Sequence, residues 1–192
     1  MRLRLIGIGL PFRPMTDWTQ TLKALHARSL ERYAGGNLDL ATWFNPAESD
    51  FLASIGARPI HLFDYAEDLV RYGAPDWETA LLLMAVRREY FLFEQRGRWS
   101  GAVVTADSLP PKTEAVEGIE WLPRIHVKAR AYLEGAETPG IMFYCGGDRA
   151  FLGRHGLHGA DFLKAVWRAG EDRESVIGFV RNGGSLTPAA AR

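Results

Sequence analysis

The stretch that decides the fold is residues 43–56, which read WFNPAESDFLASIG. Asn45 stands where a helix N-cap is expected, Pro46 occupies the first helical position, and Glu48 follows two residues later. This order is typical of a helix start. An apolar pair gives the helix a buried side, and Gly56 ends it. The stretch therefore predicts a short helix with clear boundaries.

Working outward, start signals and glycines divide the rest of the first half into helices. The predicted helices begin near Thr16 or Asp17, at Asn45, at Pro59 and at Pro75, and end at Gly35, Gly56, Gly73 and Gly97. Their apolar residues recur at close to the helical period of 3.6. A short extended piece is predicted at 41–44. Residues 98–118, which contain Pro110-Pro111, read as a linker, with a short strand possible at 102–105.

The second half repeats this order. Residues 143–156 read FYCGGDRAFLGRHG, so the Phe-Leu pair and the glycine of 43–56 recur 100 residues later. After a slip of four residues, 172–177 matches 76–81. We expect a mainly α fold of two tandem pseudo-repeated helical units, with at most short strands at 41–44 and 141–145. The predicted divisions are a first unit at 16–97, a linker at 98–118, a second unit at 119–183 and a flexible tail at 184–192.

A unit of this size buries only a small core by itself. Two fused copies are expected to pack their apolar faces together around a pseudo-twofold axis, as a homodimer does. A groove along that axis is the natural place for a ligand.

Composition limits the class of partner. Lys and Arg total 23 and Asp and Glu total 23, so the chain lacks the cationic excess typical of duplex nucleic-acid binders. The apolar run at 80–86 is far too short to span a membrane.

A single cysteine, Cys145, gives no support for secretion, which predicts a cytoplasmic protein. Residues 1–10 do not fit a signal peptide, and an alternating stretch there is consistent with a short edge strand. The oligomeric state stays open.

The second half contains, in order, Leu122-Pro123-Arg124, Lys128-Ala129-Arg130-Ala131, Gly135, Tyr144, Cys145, Asp148, Phe151-Leu152 and Gly156. In these residues it resembles the bacterial domain-of-unknown-function family 5069. The likeness covers about a third of the chain, from Trp121 to about Gly183. The first half matches more loosely, since Asn45 and Glu48 stand in place of Cys145 and Asp148. The resemblance implies a fold unit and no reaction.

The most distinctive candidate site is Tyr144-Cys145-Gly146-Gly147-Asp148-Arg149. Backbone N–H groups at a Gly-Gly turn that opens a helix can bind an anion. Cys145 would then be a candidate nucleophile, with His155 or His158 as its base. In the alternative interpretation, Asp148 is a helix cap and Cys145 is a small buried hydrophobe.

Two other sets of polar residues suggest a functional site, and each also has a purely structural interpretation. Cys145, His155 and His158 form a possible metal set, but the glycines at 156 and 159 favour a turn over a helical ligand face. Around His61 and Asp64, with Glu67-Asp68, carboxylates could serve acid–base chemistry in a cleft, and a solvated helix face is the simpler interpretation. No metal site and no cofactor is predicted.

The leading hypothesis is a binding protein for a small polar or anionic molecule, with the site between the units or on the second one. The predicted ligand-binding residues are Tyr144, Cys145, Asp148, Arg149 and His155. A small cytoplasmic enzyme that uses Cys145 or the histidines is the alternative, and a protein–protein adaptor is the third.

Overall fold

The computed structural model describes residues 17–185, in which eight α-helices and one two-stranded hairpin are found. The helices are α1 Trp18–Ala34, α2 Pro46–Ser54, α3 Pro59–Tyr72, α4 Trp77–Phe93, α5 Leu122–Glu134, α6 Gly146–Arg154, α7 Gly159–Ala169 and α8 Arg173–Arg181. The hairpin pairs β1 Ala115–Val116 with β2 Ile119–Glu120 in antiparallel register. The predicted mainly helical fold is confirmed. The edge strand proposed at 1–10 lies outside the described residues, as does the predicted tail from 186 onward.

Side chains cap three of the helix starts that the sequence predicts in the first half, those of α1, α2 and α4. Asn45 Oδ1 accepts from the Glu48 N–H at 3.0 Å, and the Glu48 carboxylate accepts from the Asn45 N–H at 3.0 Å, completing a capping box. Asp76 caps α4 by accepting from the Thr79 N–H at 2.9 Å. Gly73 ends α3 with a left-handed backbone.

The predicted extended pieces at 41–44 and 141–145 form no strands. Leu40–Thr42 is instead one turn of 3₁₀ helix, since Asp39 accepts from the Ala41 N–H at 3.2 Å and gives the backbone a local partner. At 141–145 the chain runs through turns. The possible strand at 102–105 reduces to a single bridge between Val103 and Glu137. β1 lies within the segment predicted as a linker, 98–118, and β2 lies just beyond it.

One hydrophobic core joins the two halves of the chain. α4 packs on α5 and α7, so the last helix of the first half lies against the second half. α1 packs on α3, and α7 packs on both α5 and α8. The most deeply buried apolar side chains come from both halves and include Leu22, Leu52, Leu62, Leu83, Ile125, Phe151 and Phe162.

The helices of the two halves occupy corresponding positions in the chain. α2 and α6 begin at residues 46 and 146, and α3 and α7 begin at 59 and 159. An ion pair joins Arg28 to Glu48, and a second joins Lys128 to Asp148. These correspondences agree with the predicted internal repeat. The repeat itself remains a prediction, which superposition of residues 43–70 on 143–170 would test.

Within residues 17–185, the helices all fall short of the combined length and apolarity that a membrane crossing requires.

Candidate functional site

The start of α6 is built around a buried carboxylate. Asp148 is fully buried, and Lys128 of α5, itself only 5% exposed, forms an ion pair with its Oδ2 atom. The same Lys128 Nζ donates a hydrogen bond to Cys145 Sγ at 3.2 Å. A buried ion pair of this kind depends on further hydrogen bonds to complete the coordination of both charges.

Two further donors complete the surroundings of Asp148. Its Oδ1 atom accepts from Trp121 Nε1 at 2.9 Å, and Oδ2 accepts from the Tyr144 backbone N–H at 2.9 Å. The prediction that Asp148 is the cap of this helix is therefore wrong. Cys145 occupies the N-cap position and makes no side-chain cap hydrogen bond. The carboxylate turns inward because a buried ammonium and an indole N–H bind it there.

The two glycines of this turn have different surroundings. A Cβ on Gly147 would lie 2.4 Å from Trp121 Cζ2, so the indole that binds Asp148 leaves room only for glycine. A Cβ on Gly146 would meet only Arg149 Nη2, at 3.7 Å. Neither glycine has positive φ, and Tyr144 instead takes the left-handed conformation, at φ 73°. Tight packing against Trp121 thus explains Gly147.

A second ion pair ties α6 to the first half of the chain. Arg149 Nη1 lies 2.6 Å from Asp68 Oδ2 on α3 and donates to the Tyr144 carbonyl at 2.9 Å. This contact holds the start of α6 beside α3. α3, α5 and the segments 106–112 and 138–147 together surround a cleft.

The cleft has a volume of about 630 Å³ and is lined by charges of both signs. α3 contributes the acids Asp64, Glu67 and Asp68. α5 contributes Arg124 and Lys128, and the segment before it contributes Lys112. Cys145 and Gly147 also line this cleft, along with apolar residues such as Ile60 and Met142.

Most of these charges already have partners within the protein. Glu67 accepts from the Tyr33 hydroxyl at 2.9 Å and pairs with Arg71 at 3.2 Å. Asp68 pairs with Arg149, and Lys128 with Asp148. Arg124 Nη1 donates to the Pro110 carbonyl at 2.7 Å.

Two ionisable groups of the cleft have no partner. Within residues 17–185, neither Asp64 nor Lys112 makes a hydrogen bond or an ion pair. Burial, together with the nearby carboxylates of Glu67 and Asp68, raises the pKa of Asp64 to about 7. Lys112 is exposed at the cleft.

A small recess next to the cleft shares Asp64 and Lys128 with it and is also lined by His61, Tyr65 and Tyr132. The two phenol oxygens are 2.8 Å apart. Tyr132 donates to Met84 Sδ at 3.2 Å, so Tyr65 donates to Tyr132. Burial lowers the pKa of His61 to about 3, with the charges of Arg87 and Arg58 adding to the effect. His61 is therefore neutral at physiological pH.

The five predicted site residues are only partly brought together. Tyr144, Cys145, Asp148 and Arg149 form one network, although only Cys145 of the five lines the cleft. The Tyr144 ring packs against Gly159, so this residue contributes its backbone to the network.

His155 lies away from this network. It follows α6, a helix of 9 residues, and its ring packs against Phe151 at 4.7 Å. His158 caps α7 by accepting from the Ala160 N–H at 3.2 Å. The histidines therefore do not pair with Cys145 as its base. In the part of the chain that the structure describes, no His, Cys, Asp and Glu side chains form a set that could hold a metal ion.

Sequence reasoning missed the role of Lys128, because nothing local shows that it binds a carboxylate 20 residues away. For Asp64, the sequence favours a solvated helix face over a cleft, and the structure places it in a cleft. Its spacing of three and four residues from Glu67 and Asp68 does place the acids on one side of α3. That side lines a cleft because α5 lies beside it.

Comparisons with protein-family models, curated proteins and solved structures find no match for this chain. The resemblance of the second half to family 5069 stays a prediction.

Proposed function

We propose that this protein binds a small polar or anionic molecule in the cleft between α3 and α5. The observation that carries the proposal is the pair of free charges, Asp64 and Lys112, in a cleft of about 630 Å³. That volume is within the range typical of small-molecule sites. Unpaired charges that line a cleft are the groups a ligand can bind without first breaking a protein contact.

The remaining charges support the proposal because they hold the walls in place. The Arg149–Asp68 pair fixes α6 against α3, and the Arg124–Pro110 hydrogen bond fixes the segment before α5. A site whose walls are already ordered loses less conformational entropy when a ligand binds. A cytoplasmic location, predicted from the single cysteine, would expose the cleft to metabolites and keep Cys145 reduced.

A thermal-shift screen tests the proposal. Inorganic phosphate, citrate, the amino acids and the nucleoside monophosphates cover the expected classes, and a ligand at 100 times its Kd should stabilise the protein by about 2.7 kcal/mol. We expect Lys112→Ala to reduce the shift, while Lys164→Ala, which changes a partly exposed lysine on α7, leaves it unchanged. The proposal is wrong if no compound shifts the melting temperature, or if Lys112→Ala has no effect on those that do. An adaptor would instead copurify with a protein partner.

A small enzyme that uses Cys145 is the second candidate. It is favoured by the position of Cys145 Sγ on the cleft wall, 3.2 Å from the Lys128 ammonium. A cation beside a cysteine at a helix start is an arrangement that many reactive cysteines share. The rate at which iodoacetamide alkylates Cys145 tests whether this cysteine is a nucleophile. A rate no greater than that of free cysteine would rule out Cys145 as a nucleophile.

A further inference from the structure

We infer that the occupant of this cleft is a zwitterion, whose protonated amine pairs with Asp64 and whose anionic group faces Lys112 and Arg124. The inference rests on the proposed function and names the chemical class of its ligand.

Asp64 is the group that selects a cation. It is partly buried, lines both the cleft and its recess, and has no partner within residues 17–185. The two other acids on this side of α3 are already paired with Arg71 and Arg149. Lys128, the ammonium that also lines the recess, is bound to Asp148 and Cys145. A partly buried carboxylate without a partner is stabilised by a ligand that supplies the missing positive charge.

Lys112 and Arg124 select an anion. Lys112 is exposed and free in the described part of the chain, and Arg124 uses one guanidinium nitrogen for the Pro110 carbonyl. Its other N–H donors remain available to bind a carboxylate or a phosphate.

The free groups of the lining favour an occupant with both signs of charge. Of its three acids and three cations, Glu67, Asp68 and Lys128 already have partners of opposite charge, which leaves Asp64 on one side and Lys112 and Arg124 on the other. An occupant that is only anionic would leave Asp64 without a partner, and one that is only cationic would leave Lys112 without one. A molecule with one charge of each sign pairs with both sides.

Cys145 provides a built-in reporter, because it is the single cysteine of the chain and it lines the cleft. The experiment measures the rate of Cys145 alkylation by iodoacetamide in the intact protein. The probes are 6-aminohexanoate, 1,6-diaminohexane and adipate, which share a six-carbon chain and differ in their end charges. We expect 6-aminohexanoate to slow alkylation at the lowest concentration of the three.

Asp64→Asn removes the charge that the amine is inferred to bind. We expect it to raise the concentration of 6-aminohexanoate needed for half-protection by about tenfold, as loss of a charged hydrogen bond does. Protection by adipate should be unchanged or improved. Asp50→Asn, on the exposed side of α2, should leave all three probes unaffected. Asp64→Glu keeps the carboxylate and should retain the preference for 6-aminohexanoate, which separates loss of charge from damage to the fold.

The outcomes distinguish this inference from the proposed function. If adipate or 1,6-diaminohexane protects the wild-type protein as well as 6-aminohexanoate does, the ligand class is wrong while the cleft remains a binding site. If none of the three slows alkylation, the zwitterion inference is overturned. The proposed function falls only if the thermal-shift screen also finds no compound whose effect depends on Lys112.

Discussion

Two ion pairs at corresponding positions of the two halves lie in opposite environments. Arg28 and Glu48, 2.7 Å apart, have side chains that are 37% and 22% exposed. Lys128 and Asp148 have side chains that are 4% and 0% exposed. The first pair lies near the surface and is expected to contribute little to stability, whereas the second is buried and can be broken only at a large cost.

The difference shows two ways to start a helix. Glu48 completes a capping box with Asn45. Hydrogen bonds within four residues of chain therefore satisfy backbone N–H groups at the start of α2. α6 has no side-chain hydrogen bond at its cap, Cys145, and depends on contacts between its third residue and α5. The start of α6 is therefore a tertiary structure, and it forms one wall of the cleft.

The largest expected effect is the loss of the buried pair. Lys128→Met leaves the Asp148 carboxylate buried without its ammonium, and we expect the free energy of unfolding to fall by about 3 to 5 kcal/mol. Arg28→Met, its counterpart, should cost about 1 kcal/mol or less. Urea unfolding of both variants measures the two values. Equal losses would show that the two pairs contribute alike and would remove the basis of the comparison.

The next effect concerns the glycines of the α6 start. Gly147→Ala places a methyl group against the Trp121 ring, and we expect overpacking to cost about 1 to 3 kcal/mol. Gly146→Ala has space, and it should be neutral or stabilising by up to about 1 kcal/mol because alanine favours helix. Thermal unfolding compares the two neighbours directly. A similar cost at both positions would argue against close packing by Trp121 as the reason for Gly147.

A third effect concerns the pH dependence of stability. It is expected to differ between Asp64 on α3 and Lys164, which stands at the corresponding position on α7. The pKa of Asp64 is raised from 3.8 to about 7, so the folded protein binds this proton more tightly than the unfolded chain. The resulting stabilisation is fully present below about pH 4 and is lost as the pH rises through 7. Between pH 5 and pH 8, the wild type should lose about 2 kcal/mol relative to Asp64→Asn.

Lys164→Gln is the matched control for this measurement, since the side chain of Lys164 is 44% exposed and the variant should follow the pH dependence of the wild type. The lowered pKa of His61 acts in the opposite direction, stabilising the fold as the pH rises from about 3. It is common to all three proteins and cancels in the differences. Parallel curves of unfolding free energy against pH for wild type and Asp64→Asn would contradict the raised pKa.

The smallest effect tests the caps themselves. Asn45→Ala removes the side-chain hydrogen bond of the capping box and should cost about 1 kcal/mol. Cys145→Ala removes no cap hydrogen bond and should cost about 0.5 kcal/mol or less, provided that Lys128 keeps its contact with Asp148. Chemical denaturation of the two variants gives both numbers. A larger loss at Cys145 would mean that its contact with Lys128 matters more than the cap.

Much of the helical framework could be predicted because its signals are local. Asn45, Pro46 and Glu48 start α2 through contacts within one helical turn, and Asp76 does the same for α4. Gly73 and Gly135 end their helices because they take a left-handed backbone that other residues adopt at a cost. The extended segments predicted at 41–44 and 141–145 form no strands, because a strand needs a pairing partner that the local sequence pattern does not supply.

The sequence by itself determined the mainly helical class, the positions of the helix starts and the absence of a global cationic excess. Only the tertiary structure decided which charges are buried, which are paired and which stay free. Lys128 binds Asp148 across 20 residues and Arg149 binds Asp68 across 81, separations over which no sequence pattern reports contact. Whether Asp64 is free to bind a ligand also depends on those contacts, because the nearby Asp68 and Lys128 are paired and Asp64 is not. The energy of a charge is set by its surroundings, and in this protein those surroundings are assembled from both halves of the chain.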